Sequence, residues 1–240
     1  VPRATPPDRI AKLLAAAAAT FVATGFHRTQ MDDIAARLGV SKGTVYRSVD
    51  SKESLFAAVI AWGDRPHLVP VDGIPPTSDL SAVARSVAVD LSDGIASLAL
   101  TAVVQGRRRE LTNAQFGAEA ERVAADLFDL MHRRRTAIMV VDRCAVELPD
   151  LAAMWFGDGR YALVDVWSAY LAARRRSLTV DCDPAILART IVELITMWAV
   201  KMPWDPAPRP YDVDRAGRAC SAIVRQLLAG PSIPGPDGPR

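Results

Sequence analysis

Glycine and proline cut this chain into runs of helix length, and that punctuation constrains the fold more than any other feature. Gly25, Gly39, Gly63, Gly94, the prolines between 66 and 76, Pro149, Pro184 and Pro203 to Pro210 separate stretches whose apolar residues recur at helical spacing. Long alternating β-branched runs are absent, while alanine, leucine and arginine, all good helix formers, abound. An all-α fold is expected. Asp8 is positioned to cap a first helix to about Thr24 that sets Ile10, Leu13, Leu14, Ala17 and Phe21 on one face. Thr29 caps a short second helix with Met31, Ile34, Ala35 and Leu38, which Gly39 stops. Ser41 caps a third to about Ser48, and Asp50 or Ser51 opens a fourth from Lys52 to about Trp62. Longer helices follow at about 79–92, 94–109, 113–145, 150–176, 184–202 and 212–229, and the Pro/Gly-rich end from Gly230 reads as irregular.

Composition removes several alternatives. With 50% hydrophobic and 23% charged residues, the 240-residue chain is too apolar for disorder. No uncharged apolar run reaches the roughly 18 residues that a membrane span needs, so no membrane partner is expected. The three cysteines, Cys144, Cys182 and Cys220, stand 38 apart and form no CxxC pair. The start is Pro-rich and polar, unlike a secretory signal. A soluble protein of a reducing, cytoplasmic compartment is expected, with no cofactor and no metal. The residues before 66 hold nine Lys/Arg against six Asp/Glu, a balance of +3; the remainder holds 20 against 21, or −1. That asymmetry has the sign a DNA-binding N-terminus needs.

The informative segment is TQMDDIAARLGVSKGTVYRSVDSKESLF, Thr29 to Phe56. It reads as two short helices joined by a tight turn at Gly39, which is helix-turn-helix spacing. Ile34, Leu38, Val40 and Val45 pack beneath the pair in this reading, leaving Ser41, Lys42, Gly43, Thr44, Tyr46 and Arg47 outside. The helix starts at Thr29 and Ser41 offer free N–H groups to phosphate. From Gly25 to Phe56 the chain resembles the DNA-binding motif of the TetR/AcrR family of bacterial repressors: G-F-x-x-T, M-x-x-I-A, L-G-V-S-K-G-T-V-Y, then S-K-E-x-L-F. It departs from that pattern at Ser48 and Val49, where the family usually carries His-Phe. The resemblance implies groove contacts from Thr44 and Tyr46 and phosphate contacts from Lys42, Arg47 and Lys52, with Gly43 letting the backbone come close.

The same resemblance implies a three-helix DNA-binding domain over 1–65, a larger helical ligand-binding and dimerisation domain over 66–230, and a tail at 231–240. The pattern Glu147-Leu-Pro-Asp-Leu-Ala before one long helix and Asp183-Pro-Ala at the start of the next matches the helix pair that often builds the family's homodimer. Helix 184–202 is apolar almost all round, so Leu187, Ile191, Leu194 and Trp198 are candidates for the seam, with Leu163, Trp167 and Tyr170 on the preceding helix. The last helix, with Val213, Ile223, Leu227 and Leu228, is the alternative seam. Met139, Trp155, Phe156 and Trp167 are candidates to line an apolar cavity for a small hydrophobic effector. Gly157-Asp-Gly159-x-x-Ala162 lacks the strand that a dinucleotide fingerprint requires, so its glycines are read as helix breakers. The arginine triplets at 107–109, 133–135 and 174–176 read as solvated helix ends. A ligand-responsive repressor bound as a dimer to a palindromic operator is the leading expectation. The alternative is a small-molecule binding protein or enzyme with an incidental helix-turn-helix, for which no nucleophile or acid–base constellation is visible.

Overall fold

The computed structural model describes residues 7–106, 110–207 and 209–230, and no strand occurs among them. The arginine triplet at 107–109 and the tail from 231 lie outside the described residues. The helices are α1 (Pro7–Thr24), α2 (Met31–Leu38), α3 (Lys42–Tyr46), α4 (Lys52–Trp62), α5 (Leu80–Ser97), α6 (Ala99–Gln105), α7 (Asn113–Arg133), α8 (Arg135–Cys144), α9 (Pro149–Met154), α10 (Arg160–Ala173), α11 (Pro184–Thr196) and α12 (Val213–Ala229). The fold is all-α, as expected. Among the described residues no single helix is long and apolar enough to cross a membrane.

The chain forms two compact units. One joins residues 1–91 to 133–160, and the other joins 92–132 to 161–240. The first is built on α1, whose inward stripe of Ile10, Leu13, Leu14, Ala17 and Phe21 is fully covered. Phe21, Phe26 and Phe56 form a ring cluster at its centre, with edge-to-face contacts of 5.2 and 5.0 Å onto Phe56. Helix α8 returns from far along the sequence to lie against α1 and α4. Burial pushes the Cys144 thiol at the end of α8 up to about 12, and the nearby Glu147 carboxylate adds to the shift. A thiol held so high is no nucleophile at neutral pH.

Several boundaries differ from the sequence reading, each for a local reason. Asp8 lies inside the first turn of α1. Gln30, not Thr29, is the cap residue of α2, and the Asp33 carboxylate accepts from its N–H at 2.9 Å. Gly94 does not interrupt α5, which runs on to Ser97; an isolated glycine costs a helix only about 1 kcal/mol. The helix expected over 113–145 breaks at Arg134 (φ −121°, ψ 15°). The buried Asp64 carboxylate caps the new start, accepting from the N–H groups of Thr136 at 2.9 Å and Ala137 at 3.2 Å. The helix expected over 150–176 kinks at Gly157 (φ −78°, ψ −118°), in agreement with the breaker reading of that glycine pair.

The second unit has its core on α7, α10, α11 and α12, through Phe116, Leu127, Trp167, Tyr170, Ile191, Ile195 and Val224. Arg174 is not the solvated helix end that its triplet suggested. It is buried and forks the Glu119 carboxylate through Nε at 2.8 Å and Nη2 at 2.9 Å, while the Tyr170 hydroxyl donates to the same carboxylate at 3.2 Å. Asp183 caps α11, and beyond Thr196 that helix continues as a π-helical turn, Met197–Lys201.

Candidate nucleic-acid interface

Helices α2 and α3 make a compact helix-turn-helix. Gly39 ends α2 with φ +67°, a left-handed conformation that glycine alone adopts without strain, and its N–H closes on Ala36 O at 3.1 Å while Val40 N–H closes on Ala35 O at 3.0 Å. The pair is held from below by Met31, Ile34, Ala35, Val45 and Val49, all buried. Val49, where the pattern departs from the family, fills a core place. Val40, expected in that core, is 40% exposed instead, because the Gly39 turn swings it outward.

The outer face carries Ser41, Lys42, Gly43, Tyr46 and Arg47 exposed, with Thr44 half-buried among them. Tyr46 is 43% exposed and plugs no core. The hydroxyl of Thr44 accepts from Arg47 Nη2 at 2.8 Å and lies 2.9 Å from Ser41 Oγ. Its carbonyl accepts from Arg9 of α1 at 3.0 Å. Lys42 pairs with Asp32 of α2 at 2.9 Å, and that carboxylate raises the lysine pKa. A five-residue helix cannot hold its own shape. These bonds to Ser41, Arg47 and Arg9 supply part of what it lacks.

Thr29 and Lys52 behave differently from the other candidates. Thr29 is fully buried and donates to Gly25 O at 2.6 Å. The Lys52 ammonium donates to the carbonyls of Phe26, His27 and Thr29 at 3.0, 3.4 and 3.2 Å, and it sits 4.5 Å from the centre of the Phe26 ring. Both residues clamp the α1–α2 turn. The outer side of that turn is held by Glu147, whose carboxylate accepts from His27 N–H at 2.7 Å while its carbonyl lies 3.0 Å from His27 Nε2. Arg143 of α8 donates to Val22 O at 3.2 Å. The segment between α4 and α5 is pinned too: Ser54 of α4 and Thr77 exchange hydrogen bonds at 2.9 and 3.2 Å. The roles of Arg9, Asp32, Glu147 and Thr77 at this interface have no signature in the sequence, because each acts through a partner brought to it by folding.

A model of bacterial regulatory proteins, the tetR family, matches residues 13–59, which spans most of α1 through most of α4. Over those residues the chain is similar to the DNA-binding segment of that family. An uncharacterised HTH-type transcriptional regulator of Mycobacterium bovis is 26% identical over 196 residues, 81% of each chain. The HTH-type transcriptional activator FasR of Mycolicibacterium smegmatis is 45% identical over 53 residues, 22% of this chain and 24% of its own. A TetR-family regulator from Streptomyces coelicolor A3 shares the fold with a TM-score of 0.51 at 15% identity, covering 92% of this chain and 91% of its own.

The remaining candidates fall in separate places. Met139, half-buried on α8, and Trp155 and Phe156, next to the Gly157 kink, belong to the first unit. Trp155 donates to Asp142 at 2.9 Å and Phe156 is 38% exposed. Trp167 belongs to the second unit, fully buried edge-to-face on Tyr170, and its indole N–H has no hydrogen-bond partner. Of the seven seam candidates, Leu163, Trp167, Tyr170, Leu187 and Ile191 are buried within the single chain, so their side chains serve intrachain packing. Leu194 and Trp198 are half-buried, and Trp198 meets the Tyr211 ring at 6.0 Å. Among the described residues, the large apolar side chains left outward on this unit are Tyr161, Ile186, Met197 and Ile223. No group of three or more His, Cys, Asp or Glu suited to a metal occurs among the described residues.

Proposed function

We propose that this chain is a ligand-responsive transcriptional repressor that binds a palindromic operator as a homodimer and leaves it when a small hydrophobic effector binds. The observation that carries the reading is the outward face of α3, where Lys42, Thr44, Tyr46 and Arg47 stand together on a five-residue helix. In this reading residues 1–65 recognise DNA and 66–230 hold the effector and the partner subunit. Thr44 and Tyr46 meet base edges, Lys42 and Arg47 meet phosphates, and Ser41 and Gly43 bring the backbone close. Thr29 and Lys52 serve by fixing the turn that presents α3. The likeness to an activator is confined to 53 residues of the DNA-reading segment, so it bears on DNA contact and not on regulatory sign.

Support for an effector comes from Trp167. A buried N–H without a partner is costly, and a guest with one acceptor oxygen on an apolar body would relieve that cost. Support for a dimer comes from Ile186 and Ile223, 64% and 51% exposed on α11 and α12. A gel shift with the duplex upstream of the chain's own gene, with excess unrelated competitor, tests the whole reading. Retention of the shifted band in competitor is expected. Loss of the band at equal masses of competitor would leave a DNA-binding protein without sequence choice.

A further inference from the structure

Asp32 is the second residue of α2, and its carboxylate lies 2.9 Å from the ammonium of Lys42, the first residue of α3. Both side chains are more than half exposed, 62% and 53%. The adjacent Asp33 closes the start of α2 by accepting from Gln30 N–H at 2.9 Å, whereas Asp32 reaches across the turn to the recognition helix. An exposed pair of this kind contributes little to folding. Its consequence lies in what else Lys42 can meet.

We propose that Asp32 attenuates DNA affinity, holding the ammonium that a backbone phosphate would otherwise take and setting a carboxylate beside the phosphate's seat. The inference rests on the reading above, in which the outer face of α3 meets duplex DNA. A phosphate that approaches Lys42 either displaces the carboxylate or accepts it as a close neighbour of like charge. Both outcomes oppose binding, and both matter more at low salt, where screening is weak. The effect is indifferent to sequence, because phosphates carry none. Its result is a regulator that grips bulk DNA less and depends more on base contacts for residence at its operator.

The test compares the full-length chain with Asp32→Asn, Lys42→Ala and the double variant, by fluorescence anisotropy on two labelled duplexes. One duplex has mixed sequence and the other comes from upstream of the chain's own gene. Asp32→Asn should tighten binding to both duplexes and steepen the dependence on salt by about one counterion. Its advantage over the parent then grows about three- to four-fold between roughly 200 and 50 mM salt. On the Lys42→Ala background most of that gain should vanish. Circular dichroism should show all four proteins folded. A parent that binds DNA while Asp32→Asn binds no more tightly, or more weakly, overturns the inference alone, as does a gain fully retained without Lys42. A parent that binds neither duplex overturns the DNA reading itself, and the inference with it.

Discussion

Lys42 and Lys52 are both lysines of the DNA-binding motif, yet their surroundings separate their roles. Lys42 is exposed and held only by another exposed side chain, whereas Lys52 fills its three donor positions with three backbone carbonyls. Lys42→Ala should therefore weaken binding to every duplex and flatten its salt dependence by about one unit, leaving thermal stability unchanged. Lys52→Ala should lower the melting temperature, with a loss on the order of 1–3 kcal/mol for charged hydrogen bonds removed from partly buried acceptors. Denaturation and salt titration of the two variants side by side check this, and a pure salt-slope effect at Lys52 would return it to the phosphate contacts. Trp167 is open to the same style of test. Phenylalanine keeps the ring and removes the unpartnered N–H. Trp167→Phe should leave the free protein as stable as the parent or slightly more so. In a thermal-shift series pairing 2-decanone with decane, the variant should lose the preference for the ketone that the parent shows. A parent without that preference removes Trp167 from the effector reading.

At the scale of elements, the α1–α2 turn is where the DNA-reading helices meet α8 and the residues after it, all within one compact unit. Gly25 has φ +84°, and a β-carbon there would fall 1.9 Å from Glu147 Oε1. Two separate obstacles thus meet any larger residue, backbone strain and the carboxylate that holds His27 N–H. Gly25→Ala should destabilise the fold by roughly 2 kcal/mol or more, beyond the ~1 kcal/mol of left-handed strain alone. Urea unfolding of Gly25→Ala on the parent and Glu147→Ala backgrounds separates the two, since only the steric part recovers when the carboxylate is gone. Equal losses on both backgrounds would mean that Glu147 does not press on this turn in solution. A contact at the other end of α8 explains why helix 113–145 could not be read as two. Nothing at Arg134 breaks a helix by propensity; the break exists because Asp64, seventy residues earlier, arrives to cap Thr136 and Ala137.

At the scale of the molecule, the proposed reading needs two recognition helices to reach adjacent major grooves, about 34–36 Å apart, so on that reading operator affinity depends on a stable dimer. The dimer reading now rests on Ile186 and Ile223, which face outward, and no longer on Trp167 or Ile191, which face the core. Ile223→Glu should leave the subunit folded, because the position is half exposed, while shifting it to monomer in sedimentation velocity. Operator affinity should fall with it by something on the order of 10²-fold or more, as the linked second half-site is lost. A variant that stays dimeric assigns the seam elsewhere.

Local physics determined much of this in advance. The helix-turn-helix was legible because its signals are short-range: a left-handed glycine at Gly39, serines at the starts of α3 and α4, and apolar residues at helical spacing between them. The outward set from Ser41 to Arg47 followed from the same spacing. What the sequence could not carry was everything decided by contact between distant residues. Periodicity says that α10 and α11 bury apolar faces, but not whether the cover is another helix of the same chain or a second subunit. Here the same chain covers Leu163, Tyr170, Leu187 and Ile191. Charge type says that Arg174 and Lys52 are polar, but only the folded chain supplies Glu119 to one and three carbonyls to the other. Long-range pairing of that kind leaves no periodic trace, because each partner is chosen by the tertiary approach of elements and not by its neighbours in sequence.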